Sequence, residues 1–205
     1  LGAPFERPLG HLKEYLQITR TLFKDGSVDI EGEHYTARVS IAGPVDIPVM
    51  ASGLRPKSFE VCGEMSDGAI SWLCPARYIE DVAMPALERG ADRAGRDAPP
   101  LVVHVPVLVH EDRDEVYDAF AEQAKFYLQT VFYPAMFEVA GFSNVSRSGW
   151  TRELMDAVVV TGNESEVTRG LNAILDIGNV EILAMPVTGG SRGEPGKTAP
   201  LEGGP

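Results

Sequence analysis

Residues 47–73 read IPVMASGLRPKSFEVCGEMSDGAISWL, and this stretch decides the fold. Ile47 to Ala51 is a short apolar run, which suits a buried strand. Ser52 and Gly53 make a turn, with glycine free to take backbone angles closed to bulky residues. Pro56 fits the first turn of a helix, where its missing N–H is no loss. Phe59, Cys62, Gly63 and Met65 follow at roughly helical spacing, Asp67-Gly68 ends the helix, and Ala69 to Leu73 is a second apolar strand. Two buried strands joined by a helix predict a right-handed parallel unit. Its glycine-containing turn meets a helix N-terminus, where free N–H groups hold an anion.

The same alternation extends outward. Leu9, Leu12, Tyr15, Leu16, Thr19, Leu22 and Phe23 define an amphipathic helix before the stretch, with Pro8 at its start and Gly26 at its end. Val28-Asp29-Ile30 and His34-Tyr35-Thr36 read as a small hairpin outside the main sheet. After it, a helix spans about Pro75 to Gly95, with Pro85 expected to kink or divide it. Leu101 to Val109 is the strongest strand, and Pro106 is expected to mark a bulge or its end. A long helical region from Asp112 to about Ala140 is expected to break at Pro134, before a polar loop from Gly141 to Thr151. Val158 to Val160 is a short apolar segment, and Asn163 with Glu166 forms a capping box opening a further helix. Val180 to Val187 is the last strand, and residues 189–205 read as a disordered Gly/Pro-rich tail, leaving 1–188 as the domain.

The 205 residues, 44% hydrophobic, suffice for one domain with a core. The formal net charge of -12 argues against nucleic acid and anionic membranes as partners. No apolar run reaches the roughly 18 residues of a membrane span. No signal peptide is evident, so a cytoplasmic protein is expected. Cys62 and Cys74 are expected as free buried thiols, and no spacing resembles a metal site. The repeated strand and helix pattern makes the chain α/β with a parallel sheet of about four core strands. A closed (β/α)8 barrel takes about 250 residues, so the chain is an open doubly wound sheet or part of a barrel.

Several segments in order carry a resemblance. They are Tyr15-Leu16 through Gly32-Glu33-His34-Tyr35, then residues 47–53 followed by 63–70, then Gly90-Ala91 with Ala94-Gly95-Arg96-Asp97. Tyr127 to Tyr133 with Gly141-Phe142 follows, and Val158 to Gly162 runs on to Val180 to Leu183. With these residues the chain resembles the C-terminal part of the luciferase-like monooxygenase superfamily, over about Pro4 to Pro186. The resemblance implies a partial (β/α)8 barrel, about its C-terminal half. It also implies an oxidoreductase or monooxygenase domain using a flavin-type cofactor, deazaflavin coenzyme F-420 rather than FMN, on a small organic substrate. Four further strands and a final helix of that family have no counterpart here, so a homo-oligomer or a complementing chain is expected to cover the open edges. A non-catalytic half-barrel scaffold is the competing reading.

Carried over residue by residue, the resemblance places the cofactor phosphate at Ala51, Ser52, Gly53 and Leu54, with Arg55 adjacent. Ser71 and Trp72 join them at the end of the next strand. The alternatives are an ordinary tight turn with a solvent-facing Arg55, and a Trp72 that packs under a helix. Arg77 reads as a surface helix residue, Glu64 and Asp67 as helix-end residues, and His11, His34 and His110 as surface residues. His104 reads as a core or pocket-lining histidine. Catalytic residues are not assigned: no Ser/His/Asp or Cys/His nucleophile pattern occurs, and an α/β-hydrolase reading fails for want of a nucleophile elbow.

Overall fold

A computed structural model describes residues 6–188; the predicted tail at 189–205 lies outside the described residues. The first element among the described residues is α1 (Pro8–Asp25), which starts on a proline and stops at Gly26, whose φ of 75° suits glycine. A β1 (Ser27–Glu31) and β2 (Thr36–Ser40) antiparallel hairpin follows, with His34 and Tyr35 in its turn rather than in a strand. Glu14 of α1 anchors that turn by accepting the N–H groups of Glu33, His34 and Tyr35 at 2.9, 2.9 and 3.0 Å.

The opening stretch folds as β3 (Met50–Ser52), α2 (Pro56–Met65) and β4 (Gly68–Trp72). Then come α3 (Ala76–Tyr78), a π-turn (Ile79–Ala83), α4 (Met84–Ala94) and β5 (Leu101–Val109). The π-turn stands where Pro85 was expected to divide the helix: Pro85 lies in the first turn of α4, where its missing N–H costs nothing. Next are α5 (Arg113–Ala124), a 3-10 turn (Tyr127–Gln129) and α6 (Phe132–Val139). The helix therefore breaks before Pro134, which sits in the first turn of α6. The expected polar loop contains α7 (Val145–Ser148), and α8 (Arg152–Val158) precedes β6 (Val160–Gly162), α9 (Glu164–Leu175) and β7 (Val180–Pro186).

Strands β3, β4, β5 and β7 pair in chain order, all parallel, with β6 a short addition against β5. Neighbours that follow chain order are the arrangement of a barrel wall, not of a doubly wound sheet. Strand β5 runs unbroken through Pro106, contrary to the expected bulge. Even-numbered residues of β5 bond toward β4 and β6, as Pro100 does with Ala69 and His110 with Gly162. Strand β4 reaches only to His104 and β6 begins opposite Val107, so the missing N–H of Pro106 falls in the gap and costs no ladder bond.

One sheet face is covered by helices. Ala51, Ala69, Ser71, Leu101, Val103 and Val105 point to it and are buried. The close fit of α2 and α4 explains part of this: a Cβ on Gly63 would lie 2.0 Å from the Leu87 carbonyl oxygen, and one on Gly90 equally close to that of Glu60. Arg96 then caps α2, donating to the carbonyls of Gly63 at 2.9 Å, Cys62 and Ser66. The opposite face carries Ile70, Trp72, Val102, His104 and Leu183 and lies largely open.

Candidate cofactor site

The turn from Ala51 to Arg55 joins the C-terminal end of β3 to α2. Ala51 is buried toward the helices, Ser52 is exposed, and the Gly53 N–H donates to Ile70 O at 2.9 Å. Gly53 does not take a left-handed φ, contrary to the expectation from sequence. It is required by close approach instead: a Cβ there would stand 2.5 Å from the Phe59 ring.

The turn also uses more of its own donors than expected. The Leu54 and Arg55 N–H groups donate to Ser58 Oγ at 3.0 and 3.1 Å, and that hydroxyl donates to Arg55 O at 2.8 Å. The Tyr78 hydroxyl, its pKa raised by burial, donates to Leu54 O at 3.0 Å and ties the turn to α3. An anion here therefore meets the Lys57 N–H, which lacks an acceptor at the helix start, and the Arg55 and Lys57 side chains, which form no ion pair among the described residues. Neither Ser58 nor Tyr78 was singled out by sequence; a serine two residues after the helix-starting proline was the available signal.

Ser71 and Trp72 are consecutive, so their side chains part. Ser71 faces the helices, 1% exposed, with its Oγ unbonded, while Trp72 faces the open side. Trp72 stands beside its register partner His104, ring centroids 4.2 Å apart. Tyr127 approaches Trp72 edge-on at 5.8 Å, and Tyr133 approaches Tyr127 at 4.8 Å. Sequence placed the two tyrosines only within the long helical region and the Tyr127 to Tyr133 segment of the resemblance; Tyr127 stands on the 3-10 turn, which has no clear sequence signal, and Tyr133 in the first turn of α6.

The other candidates have structural duties. Arg77 pairs with Asp81 on the surface, and Glu64 pairs with Lys13. His34 is not a surface residue: its side chain is 7% exposed and stacks on His11 at 4.0 Å, because Glu14 folds the hairpin turn over α1. Glu14, Glu33 and His34 lie close enough to hold a metal, but Glu14 already spends its oxygens on three N–H groups. Cys62 and Cys74 are free and buried, their thiols pushed up to about 11 and about 12 by burial. A hollow of ≈ 920 Å³ bounded by Arg20, Ile47 and Asp67 lies at the opposite end of the strands from the turn. No helix among the described residues is long and apolar enough to cross a membrane.

Comparison with known proteins bears on the family and the fold. The luciferase-like monooxygenase family profile matches residues 1–174. A 5,10-methylenetetrahydromethanopterin reductase of Archaeoglobus fulgidus is 24% identical over 90% of this chain and 62% of its own. The coenzyme F-420 dependent tetrahydromethanopterin reductase of Methanopyrus kandleri superposes with a TM-score of 0.69 at 18% identity, over 88% of this chain and 58% of its own. The oxygenating constituent of 3,6-diketocamphane monooxygenase of Pseudomonas putida, in complex with FMN, does so at 0.58 and 16%, over 90% and 58%. The chain spans between 32% and 62% of the length of the curated relatives it matches. The chain belongs to the luciferase-like monooxygenase family, and its parallel sheet is a segment of that family's barrel.

Proposed function

We propose that the chain is a flavin-type oxidoreductase domain acting on a small organic substrate, with the cofactor phosphate at the turn Ala51, Ser52, Gly53, Leu54 and Arg55. The observation that carries this is a pair of cations, Arg55 and Lys57, without an ion-pair partner among the described residues, beside a Lys57 N–H with no acceptor among them at the start of α2. A phosphate suits that set: two charge-assisted contacts and one backbone donor at the positive end of a helix. Gly53 keeps the turn's backbone bare on the side packed against Phe59, and Ser58 and Tyr78 hold its shape. Trp72 lines the open face for the cofactor ring, with Ser71 supporting it from behind.

When bound, the cofactor supplies the hydride or oxygen chemistry, and the chain binds and orients it. Coenzyme F-420 is favoured over FMN, since a reductase using the deazaflavin superposes more closely than the FMN-bound monooxygenase. Among the described residues the outer edges of β3 and β7 pair with no further strand, which favours a homo-oligomer or a complementing chain, and two free buried thiols suit the cytoplasm. The open sheet face favours a second reading, a half-barrel scaffold without catalysis.

Titration with FMN and with coenzyme F-420, each followed by its own fluorescence, separates the two. Saturable binding is expected, weakened about three- to tenfold by Arg55→Gln or Lys57→Gln and further by Gly53→Val. Binding indifferent to all three substitutions would remove the phosphate turn. Failure to bind either cofactor at about 100 µM would leave the scaffold.

A further inference from the structure

The turn of the β1–β2 hairpin lies against the first turns of α1, and three side chains that can ligate a metal meet there. Glu14 comes from α1, while Glu33 and His34 come from the hairpin turn. One ligand atom of each lies within 4.8 Å of the other two. None of the three stands on the sheet; they meet in the joint between helix and hairpin. Each also keeps an atom free of its structural duty. A carboxylate has about four lone-pair positions. Glu14 Oε2 accepts from the His34 and Tyr35 N–H groups, but Oε1 accepts only from that of Glu33, which leaves one position on Oε1. Glu33 pairs with Arg7 through Oε1, which leaves its Oε2 facing His34 Nε2 at 3.9 Å.

A second observation is the burial of the imidazole. The His34 side chain is 7% exposed, yet neither of its ring nitrogens makes a hydrogen bond among the described residues. Buried polar groups are ordinarily bonded, and leaving one without a partner costs free energy. The ring is nevertheless closely seated. A Cβ on Gly10 of α1 would overlap His34 Nε2, and one on Gly32 would overlap Glu14 Oε2, so each glycine makes room for one of the ligating side chains. His11 stacks on the His34 ring at 4.0 Å, and Tyr35 meets His11 edge-on at 5.3 Å. These contacts hold the ring with Nε2 toward the carboxylate of Glu33.

We infer that His34 Nε2, Glu33 Oε2 and Glu14 Oε1 bind a divalent transition-metal ion of the zinc type. One imidazole and two carboxylates suit zinc, whereas calcium and magnesium take oxygen ligands. Bonds of about 2.0–2.2 Å in a tetrahedral set place ligand atoms about 3.4 Å apart, so side-chain rotations of about 1 Å bring the three to that spacing. Two carboxylates balance the charge of the ion, and the imidazole gains the partner it lacks. The ion ties the hairpin turn to α1 and acts on the fold, not on a substrate. The site is independent of the cofactor turn. Sequence spacing does not reveal it, because Glu14 joins the other two residues only when the hairpin folds back on the helix.

The test titrates zinc chloride into the whole chain with nitrogen-15 in its four histidine rings, His34 being assigned with a His34→Gln variant. A saturable shift of the His34 ring nitrogens is expected, with a dissociation constant below about 10 µM and with His104 and His110 unmoved. Zinc should also raise the midpoint of thermal unfolding of the parent and not that of His34→Gln. Glu33→Gln removes one ligand at an exposed residue and should weaken zinc about tenfold, with unfolding in the absence of zinc nearly unchanged. Gly10→Ala keeps every ligand and favours the helix, yet should weaken zinc about tenfold because its Cβ displaces the imidazole. His11→Phe keeps the stacked ring and should change the affinity less than about threefold. No His34 shift up to about 1 mM zinc, or binding indifferent to Glu33→Gln, overturns the inference. A loss with His11→Phe as large as with His34→Gln also overturns it, because the two histidines alone would then be the chelate.

Discussion

Asp67 joins parts of the chain that are distant in sequence. Its carboxylate accepts from the Val49 N–H at 2.8 Å and pairs with Arg20 of α1, while its own N–H donates to Val49 O. Burial works to raise its pKa, but the Val49 N–H and the Arg20 guanidinium outweigh it and hold the carboxyl below its ordinary value. A pKa depressed on folding contributes stability that is present above the unfolded value and lost as pH falls through the folded one. Asp67→Asn is therefore expected to lower stability at neutral pH. Its difference from the parent should shrink as pH falls below about 4. Urea unfolding at neutral and acid pH measures this, and a difference constant with pH would show that the charge is not what matters. This role is invisible in sequence, where Asp67 reads only as a helix end.

At the scale of elements, the packing of α2 on α4 is the tightest joint described. Gly63 and Gly90 face carbonyl oxygens of the opposite helix, so a methyl at either position forces the helices apart. Gly63→Ala and Gly90→Ala are expected to destabilise by about 1–3 kcal/mol each, despite alanine's better helix propensity. Chemical denaturation checks this; a neutral or stabilising outcome would mean that the joint yields. Most elements were legible, because apolar spacing of two or of three and four is local information. The capping box of Asn163 and Glu166 is one such case, with reciprocal bonds of 2.9 and 3.0 Å. The prolines were read unevenly: the helix does divide at Pro85, where a π-turn gives way to α4, but Pro106 marks no bulge because β4 and β6 leave a gap beside it, which the local sequence does not reveal. The turn at Gly53 was found, but for the wrong reason: its glycine answers to the Phe59 ring, a contact, rather than to backbone angle. The aromatic cluster was half found, since Trp72 and His104 lie on strands while Tyr127 and Tyr133 depend on a short irregular turn.

At the scale of the whole sheet, one face is helix-covered and the other largely open, and among the described residues the outer edges of β3 and β7 pair with no further strand. Leu183 of β7 is 51% exposed on that open face, beside His104 in register. An apolar, half-covered face with unpaired edges favours association. The formal net charge of -12 opposes it, because like-charged chains repel over distances that salt shortens. Sedimentation velocity is therefore expected to show self-association that rises with both protein concentration and salt. Leu183→Glu should suppress it by placing a charge on the face, while changing stability by no more than about 0.5 kcal/mol, since the side chain is already half in water. Association that survives the substitution would show that the contact lies elsewhere. Association that weakens with salt would show that attraction between charges, rather than apolar contact, drives it.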